Sequence, residues 1–206
     1  MKHWKLALGA VAALVAVAML FAPATQAGIL GSSHDFSGAA WNTNGQICQP
    51  CHTPHNANGG HAVLWNHASG PQVYTMYSSF AYNGDDFAAV DGHSDTCMSC
   101  HDGAVNIDAF GGVAGGTAFP AGNALLDTDL SNDHPVEFNY NSVAAVDAEI
   151  RDASLLTAQG LGNISIGFSG GMGCGTCHDV HNTYGLSKLL KDNVAGSQIC
   201  LVCHIK

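Results

Sequence analysis

The chain has 206 residues, with 16 acidic side chains against 6 basic ones and a formal net charge of −10. That balance argues against nucleic acid as a partner, because its phosphates would be repelled by such a surface. A basic protein or a mineral surface remains compatible with it.

The chain opens as an export signal. Lys2 and Lys5 precede an apolar, uncharged run from Leu6 to Ala22, and Pro23-Ala24-Thr25-Gln26-Ala27 offers a small-residue cleavage site after Ala27. Seventeen apolar residues lie at the lower limit for a membrane span. No charge follows as a stop signal, and no cysteine stands at the cleavage point to take a lipid. The expected organisation is a leader over 1–27 and a single exported domain over 28–206, with no membrane span once the leader is removed. That domain has 179 residues, 4 basic and 16 acidic, for a net of −12.

Residues 28–44 are small and polar, include His34, and read as an arm or loop. The segment 46–58 holds Cys48-Gln49-Pro50-Cys51-His52 and continues Thr53-Pro54-His55, where Pro54 bars a helix interior. Aromatic residues follow, in Leu64-Trp65-Asn66-His67 and Val73-Tyr74-Thr75-Met76-Tyr77. Asn83-Gly84 and Asp91-Gly92 signal turns. Cys97-Met98-Ser99-Cys100-His101 comes next, then a glycine-rich loop over 103–122. Residues 135–140 alternate enough for a short strand, and 163–168 suggest another. Between them, Val143, Val146 and Ile150 are spaced for one amphipathic helix over 142–156. The chain closes on Cys174-Gly175-Thr176-Cys177-His178 and Cys200-Leu201-Val202-Cys203-His204.

All 8 cysteines thus fall into four CxxCH units. One unit alone could be a zinc half-site or a redox dithiol. Four units with no cysteine left over, each with its histidine, are the attachment signal of haem c. Cys48, Cys51, Cys97, Cys100, Cys174, Cys177, Cys200 and Cys203 are the expected thioether sites of four covalently bound haems. His52, His101, His178 and His204 are the expected proximal iron ligands. With about 45 residues per haem, the cofactors must form most of the core. The expected fold is a mostly irregular, coil-rich multihaem cytochrome c, its few short helices and strands wrapped around a row of four haems.

Four irons need four distal ligands if every site is closed. Methionines are scarce and seven histidines remain beyond the proximal four and His3, so bis-histidine ligation is the simplest account. His55 and His181 each lie three residues after a proximal histidine. Three residues reach roughly 10 Å, too little to pass around a porphyrin rim, so each should serve a different haem from its own motif. His34 and His134 complete the expected distal set, with Asp133 and Pro135 flanking His134. His67, beside Trp65, is the reserve. His61 and His93 read as surface or propionate partners.

The segments ICQPCHTPHN, LWNH, CMSCHDG, DHPV, CGTCHDVHN and CLVCH, in this order, resemble the filament-forming (nanowire) tetrahaem outer-surface c-type cytochromes of metal-reducing bacteria. The resemblance covers nearly all of 28–206. It implies an extracellular helical polymer of identical subunits with a continuous haem chain, bis-histidine irons, and haems packed alternately parallel and T-shaped. It also implies that a histidine of one subunit ligates a haem of the next, a role that falls here on His55. The expected partners are further copies of the chain, redox proteins, and extracellular acceptors such as metal oxides, at the cell surface or beyond. A soluble periplasmic electron shuttle is the alternative. A multihaem reductase would need an open iron and basic residues to draw in an anion. Only Arg151, Lys188, Lys191 and Lys206 are available after the leader, so no enzymatic activity is expected.

Overall fold

Most of this backbone turns instead of running. The computed structural model describes residues 28–61, 63–70, 72–84, 92–158, 163–166 and 171–205. The expected leader over 1–27 lies outside them. Within the described residues five α-helices occur in chain order, besides three single-turn 3-10 helices: α1 (Gly92–His101), α2 (Tyr140–Val146), α3 (Ala153–Ala158), α4 (Cys174–Cys177) and α5 (Gln198–Cys203). A single small antiparallel sheet pairs β1 (Phe138–Asn139) with β2 (Gly171–Met172), in the register Phe138 to Met172. The fold is coil-rich with few short elements, as composition and haem density implied. Among the described residues no helix is long and apolar enough to cross a membrane.

The helix expected over 142–156 is two helices with a break. Asn139 caps α2, its side chain accepting the Ser142 N–H at 3.1 Å. The helix then stops at Asp147, whose Oδ1 takes the Glu149 N–H at 2.9 Å. Asp152 repeats the device, receiving the Ser154 N–H at 2.8 Å just as α3 begins. Short acidic side chains that bond to nearby backbone compete with helix continuation. Two of them bracket the break. The extended stretch between them pairs instead with the last motif: Arg151 N–H bonds Cys203 O at 2.8 Å, and Ile205 N–H bonds Glu149 O at 2.7 Å.

The strand expected over 135–140 shrinks to Phe138–Asn139, and its partner is Gly171–Met172. The second strand expected over 163–168 is not formed in its described part, 163–166; its last residues lie outside the described set.

The main apolar cluster joins Phe138, Tyr140, Val143, Leu156, Met172 and Val202, with Cys203 at its margin. A smaller one centres on Met98 and Leu130. Both abut CxxCH residues, so what apolar packing the chain has is placed beneath the cofactor sites. Helices α1 and α4 pack together. The Cys174 N–H bonds Ser94 Oγ at 3.0 Å. Gly173 permits this approach: a Cβ there would stand 2.8 Å from Ser94 Oγ and 2.9 Å from Glu137 Oε1.

Candidate haem sites

Each CxxCH closes one helical turn. The histidine N–H returns to the carbonyl of the first cysteine at 2.8 Å in His52, 3.0 Å in His178 and 2.9 Å in His204, and His101 ends α1. Two intervening residues therefore bring both sulfurs to one side of a turn and leave the imidazole at its end.

The imidazoles are then oriented from behind. His52 Nδ1 lies 2.7 Å from Val63 O, His101 Nδ1 2.6 Å from Ala124 O, and His178 Nδ1 2.9 Å from Lys188 O. A carbonyl accepts, so Nδ1 carries the proton and Nε2 keeps its lone pair for a metal. The holding segments share one construction. The residue two places after the accepting carbonyl pairs back to its motif, as Trp65 with His52 and Leu190 with His178, and as Leu126 N–H to His101 O. Val63-Leu64 and Lys188-Leu189 adopt left-handed backbone to do so. Sequence reading found only the haem signal recurring. The short apolar segments Val63-Leu64-Trp65, Ala124-Leu125-Leu126 and Lys188-Leu189-Leu190 were the available trace of this second recurrence.

Three of the expected distal histidines stand opposite proximal ones. Ring centroids are 6.0 Å apart for His34 and His101, 6.1 Å for His52 and His181, and 6.4 Å for His134 and His204. Two imidazoles bound on opposite faces of one metal through bonds of about 2 Å place their centroids roughly 6 Å apart. His181 thus stands opposite the histidine of the first motif and not that of its own. His134 Nδ1 is held by Pro135 O at 3.0 Å, and His181 Nδ1 lies 3.9 Å from Asp179 Oδ1. Burial, with His101 and His178 nearby, pulls His34 down to about 4. It is therefore a neutral imidazole, as a ligand must be.

No such ring faces His178 among the described residues, and His55 lies exposed on the surface. His67, the reserve, is buried with Nδ1 2.6 Å from Ala68 O and Nε2 3.0 Å from Asn106 O. Neither nitrogen is directed to a metal. His61 is not a surface residue either: its Nε2 meets Ser69 Oγ at 2.9 Å, and its buried Nδ1 is 3.3 Å from Asp95 Oδ2 without hydrogen-bond alignment. His93 lies in α1, and its side chain is outside the described set.

The cysteines of successive motifs are neighbours. Cys51 acts on the ionisation of Cys100, Cys97 hydrogen-bonds Cys174, and Cys203 acts on Cys177. Burial pushes Cys51 up to about 11, Cys100 to about 12 and Cys177 to about 11. Cys174, accepting from Cys97, is lowered to about 6. An open cleft of about 200 Å³ is lined by Cys174, Cys177 and His178 together with Met98, Leu130 and Met172. Trp65 Nε1 is buried without a protein acceptor, and its ring stands edge-on to His52 at 6.3 Å. Paired thiols, paired imidazoles at metal spacing, apolar walls and an uncommitted donor beside a ligand fit haem c. That group supplies an iron able to change its charge by one electron.

These features define a multihaem c-type cytochrome, with covalently bound haem and electron transfer as its work. Proteins of this class are typically exported. Residues 168–206 match the family model of the doubled CXXCH motif, which spans the third and fourth units and their connection. No curated protein matches the chain.

Proposed function

We propose that residues 28–206 form a single domain carrying four haems c, one per motif, and that it passes electrons along that row as a subunit of an extracellular filament. His52 with His181, His101 with His34, and His204 with His134 would each hold one iron. His55 of one subunit would close the iron on His178 of the next.

One observation carries this reading. Three histidine pairs stand at iron spacing within the chain, while among the described residues no ring stands opposite His178 at that spacing and the expected distal residue His55 is exposed. A second copy would supply the ring that is missing there. Irons with two imidazoles have no open position, so they exchange electrons with little change of structure, and histidine in place of methionine keeps their potentials low. The contacts between cysteines of successive motifs support a relay from the first unit through the fourth. The leader, the acidic surface and the resemblance support release to the cell surface, with metal oxides or basic redox proteins as acceptors.

The same observation favours one second reading. An isolated subunit would leave the iron on His178 with an open face, as a soluble shuttle or a reductase would. The positive charge near it that could attract an oxyanion is limited to Lys191, bonded to the third motif, and its neighbour Lys188. Arg151 bonds Val202 O and Leu201 O, and Lys191 Nζ bonds Gly175 O.

Pyridine haemochrome absorbance against protein mass gives the haem count, and four per chain is expected. Electron microscopy of the purified holoprotein should show filaments, and His55→Ala should abolish them. In that variant carbon monoxide should bind one reduced iron in four. Monodisperse wild-type particles at every concentration would remove the filament and leave the shuttle.

A further inference from the structure

Charge is distributed unevenly along this chain. Between Asp35 and Asp85 no residue is acidic or basic, a run of 49 residues. Residues 85–150 then carry 12 acidic side chains and no basic one, and 151–206 carry 4 basic against 3 acidic. Apart from Asp35, the negative excess of the exported domain therefore lies in one middle segment.

The uncharged run also exposes large apolar side chains. Among the described residues the two most exposed of these, Phe80 and Val73, both belong to it, and Val63 and Leu64 are more than half exposed. Leu64 has a counterpart in Leu189. Each follows the carbonyl that holds a proximal imidazole, each has left-handed backbone, and the residue after each pairs with the motif's histidine. Yet Leu189 is 8% exposed and Leu64 58%. The same construction buries its leucine at the third motif and turns it to solvent at the first. Leu64 O takes the Thr53 N–H at 2.9 Å, which sets Val63 and Leu64 beside the segment that carries the exposed His55.

We infer that the charge-free segment 36–84 is the face that one subunit turns to the next, with Val63, Leu64 and Phe80 as its apolar contacts, and that it docks on the 151–206 segment of a second copy. That second segment carries His178. Subunits with a net charge of −12 repel one another. A polymer of them needs contact faces free of that charge, and the cores of protein interfaces are depleted of charged residues. The chain supplies one neutral segment and one balanced segment, and leaves the acidic one to solvent. Exposed leucine and phenylalanine side chains are stabilised once a partner covers them. A basic protein would be met by 85–150 and not by a segment without charge. This inference rests on the filament reading and names the surfaces through which the copies meet.

The test uses the exported holoprotein. Leu64→Asn and Phe80→Ser are compared with Val146→Ser, which alters an exposed apolar residue of the acidic segment. Asparagine tolerates left-handed backbone, so Leu64→Asn should leave the haem count and the thermal midpoint of dissociated subunits unchanged. The protein concentration at which filaments form, read by sedimentation and light scattering, should rise at least about tenfold in Leu64→Asn and in Phe80→Ser, as expected for one large apolar side chain no longer buried. It should keep the wild-type value in Val146→Ser. Added sodium chloride should lengthen wild-type filaments, because salt screens the repulsion between subunits and leaves an apolar contact in place. Assembly at the wild-type concentration in Leu64→Asn or in Phe80→Ser, an equal loss in Val146→Ser, or filaments that dissolve in salt would each overturn the inference and leave the filament reading standing. Wild-type subunits that stay monomeric at every concentration and bind phosphatidylcholine vesicles through Phe80 would assign the face to a lipid surface and remove both.

Discussion

His52 and His181 face each other with ring centroids 6.1 Å apart and planes only 11° from parallel. They come from opposite ends of the chain, and each is held at its own Nδ1 side, by Val63 O and near Asp179 respectively. The other two pairs are crossed, at 66° for His34 with His101 and 77° for His134 with His204.

These angles predict two kinds of oxidised low-spin iron. Parallel imidazole planes split the two iron orbitals that point between the porphyrin axes and the ligands, and crossed planes leave them nearly equal. Electron paramagnetic resonance of the oxidised protein should therefore show one ordinary rhombic signal from the His52–His181 iron. At least two strongly anisotropic signals should come from the crossed pairs. His181→Met should remove the rhombic signal and raise one reduction potential; a spectrum unchanged by that substitution would place His181 elsewhere.

Arg151 holds the end of α5 by bonds to Val202 O at 3.0 Å and Leu201 O at 3.4 Å, and Tyr140 Oη bonds the Arg151 carbonyl at 2.8 Å. Hydrogen bonds from a charged group are worth about 1.5–3 kcal/mol. Arg151→Ala should lower stability by about 2 kcal/mol in denaturant titrations of the holoprotein. Arg151→Lys should recover only part of this, because an ammonium cannot reproduce the planar fork.

His67 is buried between two carbonyls. His67→Leu strands the carbonyl to which the neutral ring donates its one N–H and should cost about 1–3 kcal/mol at neutral pH. Burial depresses its ionisation below the ordinary 6.5, against the opposing pull of the carbonyls and Asp102. A base depressed in the folded state stabilises fully above the ordinary value and loses that contribution as pH falls below it. Urea midpoints of wild type and His67→Leu should therefore lie closer together at pH 5 than at pH 7.5; an equal gap would deny the linkage.

Val63 is a β-branched residue at φ 59°, and it is half exposed. Left-handed backbone costs such a residue about 1–3 kcal/mol, whereas glycine adopts it freely. Val63→Gly should raise the thermal midpoint modestly, a gain of about 1 kcal/mol, with the absorption spectrum of the first haem unchanged. A lower midpoint would mean that the Val63 side chain contributes packing that outweighs its strain.

Covalent haem binding was legible because its chemistry is local: two sulfurs and an imidazole within five residues. The coil-rich fold followed from the small number of residues available per haem. The distal histidines were readable only as a set of candidates. His181 could be assigned away from its own motif by tether length alone, but its facing partner is fixed by how the loop 179–182 lies against the hairpin 52–65. His67 and Trp65 are neighbours in sequence with the same apolar context, and nothing local says that one ring is held between the next residue's carbonyl and that of Asn106, some forty residues on. The helix over 142–156 failed for a related reason. Its apolar spacing was helical, but Asp147 ends one short helix and Asp152 begins the next, so that Ile150 can pair with His204.

By itself the sequence determined the class of chemistry: haem held covalently at CxxCH units. Only the tertiary structure decided which imidazoles meet, at what angle, and which one is left facing outward. Bonds to haem form within one turn of backbone, whereas the second ligand arrives from wherever the packed chain brings it.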